Sequence, residues 1–258
     1  LTKLKAAGVS ADDFQALLHT LRIEPVFTAH PTEPTRRTML RKEQNIVRYL
    51  VDLLNPTMTV QETNVALENI RLLITTGWQT DEHPSEQMTV ADELEHVLFF
   101  ITDVLYRAMP PFYEDIEHAV SRIYGEEGAK MEIPVLARFA SWVGGDMDGN
   151  PNVNADTIRR SLEYHRREIV RKYLPEMRSL SRFLSQSLSE IEVSQEVLSQ
   201  LETYIGLLPE EAKKIGQRVR NMPYRCLLKL MMARMQGVLE NYPGAYRNSR
   251  EFRDELKL

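Results

Sequence analysis

A single cysteine in 258 residues, Cys226, excludes an intramolecular disulfide and argues against a disulfide-stapled secreted scaffold. No apolar run approaches the roughly 20 residues that span a bilayer, and the first residues lack the pattern of a signal peptide. Neither sign of charge dominates. Against 37 Asp and Glu stand 32 Lys and Arg, and a net charge of -5 offers no global basic field for nucleic acid or an anionic membrane. Repeats, low-complexity tracts and Gly- or Ser-rich linkers are missing too, so no firm domain boundary can be drawn, and residues 241–249 are the best loop candidate. What remains, 43% hydrophobic and 27% charged, has the composition of a globular protein at home in a reducing cytoplasm.

Where the chain carries signal, most of it is helical. Ile46, Val47, Leu50, Val51 and Leu54 share one face at a 3.6-residue period. Thr59 with Glu62 forms a capping box ahead of Leu67, Ile70, Ile74 and Trp78, and Thr89 with Asp92 opens a helix carrying Leu94, Val97, Leu98, Ile101, Val104 and Leu105. Pro110 and Pro111 read as the start of a further helix that Gly125 ends. Asp156 reads as the N-cap of a long helix that Pro175 should kink or divide. Pro209 and Pro223 open two more. The second bears Leu227, Leu230, Met231, Met235 and Val238, a stripe of core or partner-helix contact, with Cys226 as a small buried apolar residue beside it. The first residue is Leu1 and residues 251–258 continue as an amphipathic helix with no stop signal, so the chain is expected to be a piece of a longer protein.

Two short segments read as strands, and chemistry gathers after each. Residues 24–29, Glu-Pro-Val-Phe-Thr-Ala, have strand character, which Pro31 and Pro34 forbid from continuing. His30 therefore falls where a strand ends, a position that a rigid frame holds while it still reaches solvent. Its imidazole titrates near neutrality, and the guanidinium groups of Arg36 and Arg37 match phosphate or carboxylate geometry. Acid/base chemistry on an anionic substrate fits this set. A capped structural histidine beside a solvated Arg-Arg pair fits it as well.

Residues 135–143 alternate like a second strand and lead into Gly-Gly-Asp-Met-Asp-Gly-Asn-Pro-Asn at 144–152, where glycines permit positive φ or close approach. Asp146, Asp148, Asn150 and Asn152 at alternate positions have a superficial likeness to a calcium loop. The turn glycine is misplaced, however, and Thr157 stands where a bidentate glutamate belongs, so carboxylates accepting backbone N–H bonds are the preferred reading. Trp142 is open to two readings, a pocket wall or a packed core residue.

The run from Val26 to Arg37 resembles the first signature of bacterial and plant phosphoenolpyruvate carboxylases, and Phe-Ala-Ser-Trp-Val-Gly-Gly-Asp-Met-Asp-Gly-Asn-Pro at 139–151 is similar to another. A third segment, Gly-Trp-Gln-Thr-Asp-Glu at 77–82, resembles the family's Trp-x-Thr-Asp-Glu. It departs from the pattern by continuing His83-Pro84-Ser85 in place of Ile-Arg-Arg, and Met147 replaces a common arginine. The resemblance implies a mainly α chain with two or three short β-strands, the N-terminal portion of an elaborated (β/α)8 barrel, with residues 1–258 as a single helical fragment of a longer enzyme. It implies His30 as the catalytic proton acceptor, with Trp142, Arg36 and Arg37 at the substrate. The substrates would be phosphoenolpyruvate and bicarbonate, the products oxaloacetate and phosphate, and the parent a cytoplasmic homo-oligomer, a tetramer. Mg2+ or Mn2+ would be required, with ligands outside this chain, and the fragment alone should be inert. The sugar-phosphate activation associated with the paired arginines in plant members is not carried over, because the partner cations at 83–85 are absent. Two other classes stay open: a phosphotransferase in which phosphoenolpyruvate phosphorylates His30, and a non-enzymatic helical interaction domain.

Overall fold

The computed structural model describes residues 1–28, 35–82, 89–147 and 151–257. It is mainly helical and divides into two compact units, Leu1–Leu162 and Glu163–Leu258.

The first unit opens with α1 (Thr2–Ala6) and α2 (Ala11–Thr20), two helices that the periodicity reading passed over. Ser10 caps α2 by accepting from the Asp13 amide, and Asp12 and Asp13 place negative charge at the positive end of the helix. The apolar face of α2 buries Phe14 and Leu18. Phe14 stacks on Tyr124 at 5.6 Å between ring centroids, in a cluster completed by Val120 and Leu136. After β1 (Val26–Phe27) come α3 (Arg37–Asp52) and α4 (Val60–Trp78), the latter opened by the expected Thr59–Glu62 capping box. Lys42 on α3 ties the pair together, donating to the Thr76 carbonyl at 2.7 Å and to Thr80 Oγ1 at 2.8 Å.

The Thr89–Asp92 capping box starts α5 (Val90–Phe99), which runs through a π-helical turn, Phe100–Leu105, directly into α6 (Tyr106–Tyr124). Pro110 and Pro111 thus lie inside a helix and do not begin one. The helix is already propagating when it reaches them, so no new nucleus is needed. Both prolines are exposed, and neither can donate to the carbonyl four residues before it. Gly125 ends α6 at φ +68, as expected, and a short α7 (Glu126–Ala129) follows.

β2 (Ala140–Ser141) pairs with β1 in parallel, Val26 opposite Ala140 and Phe27 opposite Ser141, and an isolated bridge joins Ile23 to Ala137. The ladder bonds run from Ile23 N to Leu136 O (2.8 Å), Arg138 N to Ile23 O (2.9 Å), Ala140 N to Pro25 O (3.1 Å) and Trp142 N to Phe27 O (3.0 Å). Tyr113 on α6 braces the approach to β2, its hydroxyl accepting from the amides of Leu136 and Ala137. Both strands are shorter than the segments read from sequence. They pair with one another, with the helices between them as crossover. Among the described residues no third strand joins them.

α8 (Ala155–Phe183) begins in the first unit and runs on through the second. Its cap is Asn154, whose Oδ1 accepts from the amides of Asp156 and Thr157 at 3.0 Å each, so the N-cap lies two residues before the expected Asp156. Pro175 sits within the helix and does not divide it.

In the second unit, α9 (Gln195–Leu207), α10 (Pro209–Lys213), a 3-10 turn (Gln217–Val219) and α11 (Pro223–Glu240) follow, with Pro209 and Pro223 at helix starts as read. α11 buries Leu227, Leu230, Met231 and Met235 against Val197 and Tyr204 of α9, and Cys226 is buried among them. Burial pushes the Cys226 thiol pKa up, and its Sγ lies 3.1 Å from the Val219 carbonyl. Asn241, in the left-handed region at φ 53, turns the chain into a loop that leads to α12 (Ser249–Glu255). α12 is fastened by a buried Arg234 of α11, whose guanidinium engages Glu251, Glu255 (2.6 Å), the Tyr204 hydroxyl (2.8 Å) and the Gly244 carbonyl (2.9 Å). The Tyr246 ring lies 4.1 Å from the same guanidinium, and its hydroxyl donates to Glu255 at 2.6 Å.

Candidate active site

Because β1 and β2 run in the same direction, their last residues, Phe27 and Ser141, lie at one end of the pair. The Trp142 amide, donating to the Phe27 carbonyl at 3.0 Å, ties the first residue past β2 to the last residue of β1. His30 belongs to the segment that follows β1, but residues 29–34 lie outside the described residues, as do Asp148 and Asn150 of the second loop. Trp142 is 60% exposed, so its indole is not packed in the core of this chain.

Beyond Trp142 the chain turns sharply, and its carbonyl accepts from the amides of Gly145 (2.9 Å) and Asp146 (3.0 Å). Gly144 makes the turn possible. It sits at φ +76, and a Cβ there would lie 2.2 Å from Ser161 Oγ and 3.0 Å from Ser161 Cβ. Ser161 is itself held, its hydroxyl donating to the Thr157 carbonyl at 2.9 Å. The left-handed conformation and the clash together should make Gly144→Ala cost roughly 2–5 kcal/mol. Gly145 is a built-in control. Its added Cβ would meet only the Trp142 carbonyl at 3.6 Å, so Gly145→Ala should move stability by less than about 1 kcal/mol. Urea midpoints at unchanged slope check the pair, and equal shifts would refute this account of the turn.

Arg36 and Arg37, alike in sequence, have different surroundings. Arg36 is the half-buried N-cap of α3, and its amide donates to the Glu82 carbonyl at 3.0 Å, joining the end of the 77–82 segment to the edge of the His30 segment. Arg37 keeps only 15% of its side chain exposed. Its Nη2 lies 3.0 Å from Asp103 Oδ2 and its Nη1 3.7 Å from Glu95 Oε1. Residues 83–88, where the chain departs from the family pattern, lie outside the described residues.

Asp103 and Glu95 were missed in the sequence, though one signal was legible. Asp103 is an acid set in the apolar row Leu98, Ile101, Val104 and Leu105, and a buried carboxylate requires a cation. Ser161, which meets the Gly144 turn, carried no local signal at all. Among the described residues, no group of three or more His, Cys, Asp or Glu side chains could hold a metal ion.

The chain belongs to the phosphoenolpyruvate carboxylase family, whose model matches residues 1–255. It is 45% identical, over all 258 residues, to a phosphoenolpyruvate carboxylase of Xanthomonas oryzae pv. oryzae, and covers 28% of that protein. It is 38% identical over 184 residues to one from Rhodothermus marinus, 71% of this chain and 19% of that one. To one from Roseiflexus castenholzii it is 35% identical over 221 residues, 84% of this chain and 23% of the relative. The chain thus spans between about a fifth and just over a quarter of the length of these relatives. Among the described residues no helix is long and apolar enough to cross a membrane.

Proposed function

We propose that the full-length protein carrying this segment carboxylates phosphoenolpyruvate with bicarbonate, releasing oxaloacetate and inorganic phosphate. The observation that supports the reading, beside family membership, is the parallel register of β1 and β2, with Phe27 at the end of β1 bonded to Trp142 just past the end of β2. A parallel pair joined by a helical crossover also supports β1 and β2 as the first strands of a (β/α)8 barrel, whose active site lies at the carboxyl ends of its strands.

In the proposed sequence, a bicarbonate oxygen attacks phosphorus and the bond from phosphorus to the enol oxygen breaks, its electron pair leaving with that oxygen, giving carboxyphosphate and the enolate of pyruvate. His30 accepts the carboxyphosphate proton as the bond from its carboxyl carbon to the bridging oxygen breaks, which releases carbon dioxide and phosphate. The C3 carbon of the enolate then bonds to carbon dioxide beside Trp142. Arg36 contributes cationic charge at the anionic substrate. Arg37, with its guanidinium between Asp103 and Glu95, contributes chiefly through the frame. Mg2+ or Mn2+ would supply further stabilisation of phosphate and enolate charge from carboxylates in segments beyond this chain.

Bicarbonate dependence tests the reading. The full-length enzyme should form oxaloacetate only with bicarbonate and a divalent cation present. Phosphohistidine formation without bicarbonate would favour the phosphotransferase reading, and indifference to both substrates the interaction domain. The isolated 258-residue chain should bind phosphoenolpyruvate at about millimolar strength or weaker and show no turnover, because so few free cations converge on a trianion. Calorimetric titration and a coupled oxaloacetate assay read the two halves.

A further inference from the structure

The Trp142 backbone is held from both sides while its side chain is left open. Its amide donates to the Phe27 carbonyl at 3.0 Å, and its carbonyl accepts from the amides of Gly145 and Asp146 in the turn beyond. The indole is nevertheless exposed. A large aromatic presented to solvent on a fixed backbone loses little freedom when something packs against it. What fixes the turn comes from further along the chain. Gly144, at φ +76, lies so close to Ser161 of α8 that a Cβ on it would stand 2.2 Å from Ser161 Oγ, with Val90 of α5 3.8 Å from the same point. Ser161 is 8% exposed, and its hydroxyl is directed by the bond it donates to the Thr157 carbonyl. Thr157 donates from its own hydroxyl to the Asn152 carbonyl at 3.0 Å and from its amide to Asn154, so the side chain that meets the turn stands on a helix start that is itself anchored.

We infer that Ser161 is a positioning residue for the carboxylation step: by closing on Gly144 it fixes the turn that holds the Trp142 carbonyl, and so sets where the indole stands at the end of β2. The inference rests on the reading of Trp142 as the side chain beside which carbon dioxide meets the enolate. Serine suits the place because its hydroxyl oxygen is smaller than a methyl group and spends its hydrogen bond within α8, where a bulkier side chain would push the turn away. A displacement of about an ångström costs on the order of a hundredfold in rate, and an enolate that misses carbon dioxide takes a proton from water at C3 and leaves as pyruvate.

The test uses the full-length enzyme with Ser161→Val, Gly144→Ala, the pair Gly144→Ala with Ser161→Gly, and Trp142→Ala. Ser161→Val should lower oxaloacetate formation about ten- to a hundredfold and raise the share of phosphoenolpyruvate released as pyruvate, with KM changed by less than about threefold. Amide hydrogen exchange at Gly145 and Asp146 should quicken about tenfold, while exchange in α9 and α11 stays as in the wild type. Gly144→Ala should shift the product ratio the same way. Removing the Ser161 side chain in the pair makes room for the new Cβ, so the pair should return to within about threefold of the wild-type ratio. A role in stability alone would lower the melting temperature of these variants and leave the ratio untouched. If Ser161→Val does not fold, Ser161→Cys, which enlarges the contact by less, carries the test. A wild-type ratio in a folded Ser161 variant, where Trp142→Ala alters it, overturns the inference, as do unchanged exchange at 145 and 146 and a pair no better than Gly144→Ala alone. If Trp142→Ala itself leaves the ratio unchanged, the reading of Trp142 falls instead, and exchange at 145 and 146 still decides whether Ser161 fixes the turn.

Discussion

His30→Asn in the full-length enzyme should remove oxaloacetate formation while bicarbonate-dependent hydrolysis of phosphoenolpyruvate to pyruvate continues. The asymmetry follows from what each bond change needs. Attack on phosphorus needs cationic charge around the phosphoryl oxygens, which asparagine at position 30 leaves in place. Release of carbon dioxide from carboxyphosphate needs an acceptor for a proton, and an amide cannot serve. A positioned general base contributes about a hundred- to ten-thousandfold, so the oxaloacetate rate should fall by at least about a hundredfold. Coupled reduction of oxaloacetate, run beside a pyruvate assay with and without bicarbonate, reads both products. Normal carboxylation by a folded His30→Asn variant would remove this histidine from the mechanism.

The second large effect concerns folding. Arg234→Met should destabilise the second unit by about 3–5 kcal/mol, because Glu251 and Glu255 would keep their charge beside α11 with no cation between them. Burial opposes the charge of Arg234, yet its hydrogen bonds to Glu251 and Tyr204 hold its pKa above the ordinary arginine value. Burial also lifts the pKa of the Tyr246 hydroxyl, so it stays protonated and able to donate to Glu255. For Glu251, burial raises the pKa, but the Arg247 amide and Arg234 more than offset it and leave the carboxyl below its usual value. A carboxyl depressed in the folded state adds stability above its unfolded pKa, about 4.3, and that stability fades as pH falls through the lower folded value. Acid should therefore weaken the attachment of α12 in the native chain, and Arg234→Met should flatten that dependence. The exposed Arg253, 3.9 Å from Asp254 across solvent, is the control and should cost no more than about 0.5 kcal/mol when replaced by Met. Denaturation midpoints at pH 7 and pH 4 provide the comparison, and matching losses for the two arginines would refute the clamp.

Much of this protein was readable because its informative features are local. A capping box is set by residues three apart, so Thr59–Glu62 and Thr89–Asp92 could be placed without the fold. Gly125, Pro209 and Pro223 mark helix ends by backbone chemistry that acts within one turn. The stripe of α11 announced its burial by period alone, and the two signatures were legible as strings of residues whatever their neighbours. The local readings failed where a neighbour competed. Asn154 supplanted Asp156 as a cap because its side chain reached two amides, and Pro110 and Pro111 did not start α6 because α5 and the π turn had already supplied the nucleus.

The sequence by itself determined the helix-rich class, the principal caps, and the association of a histidine, two arginines and a glycine turn in one family pattern, since each depends on side chains close along the chain. The tertiary structure decided what distant residues do to one another. It paired β1 with β2 across the intervening helices, placed Ser161 against Gly144, and separated Arg36 from Arg37 by burying Asp103 beside only the second. Two adjacent arginines have the same intrinsic chemistry, and only the packing of a helix far along the chain, which brings a carboxylate out of water and within 3.0 Å, makes one of them part of the frame.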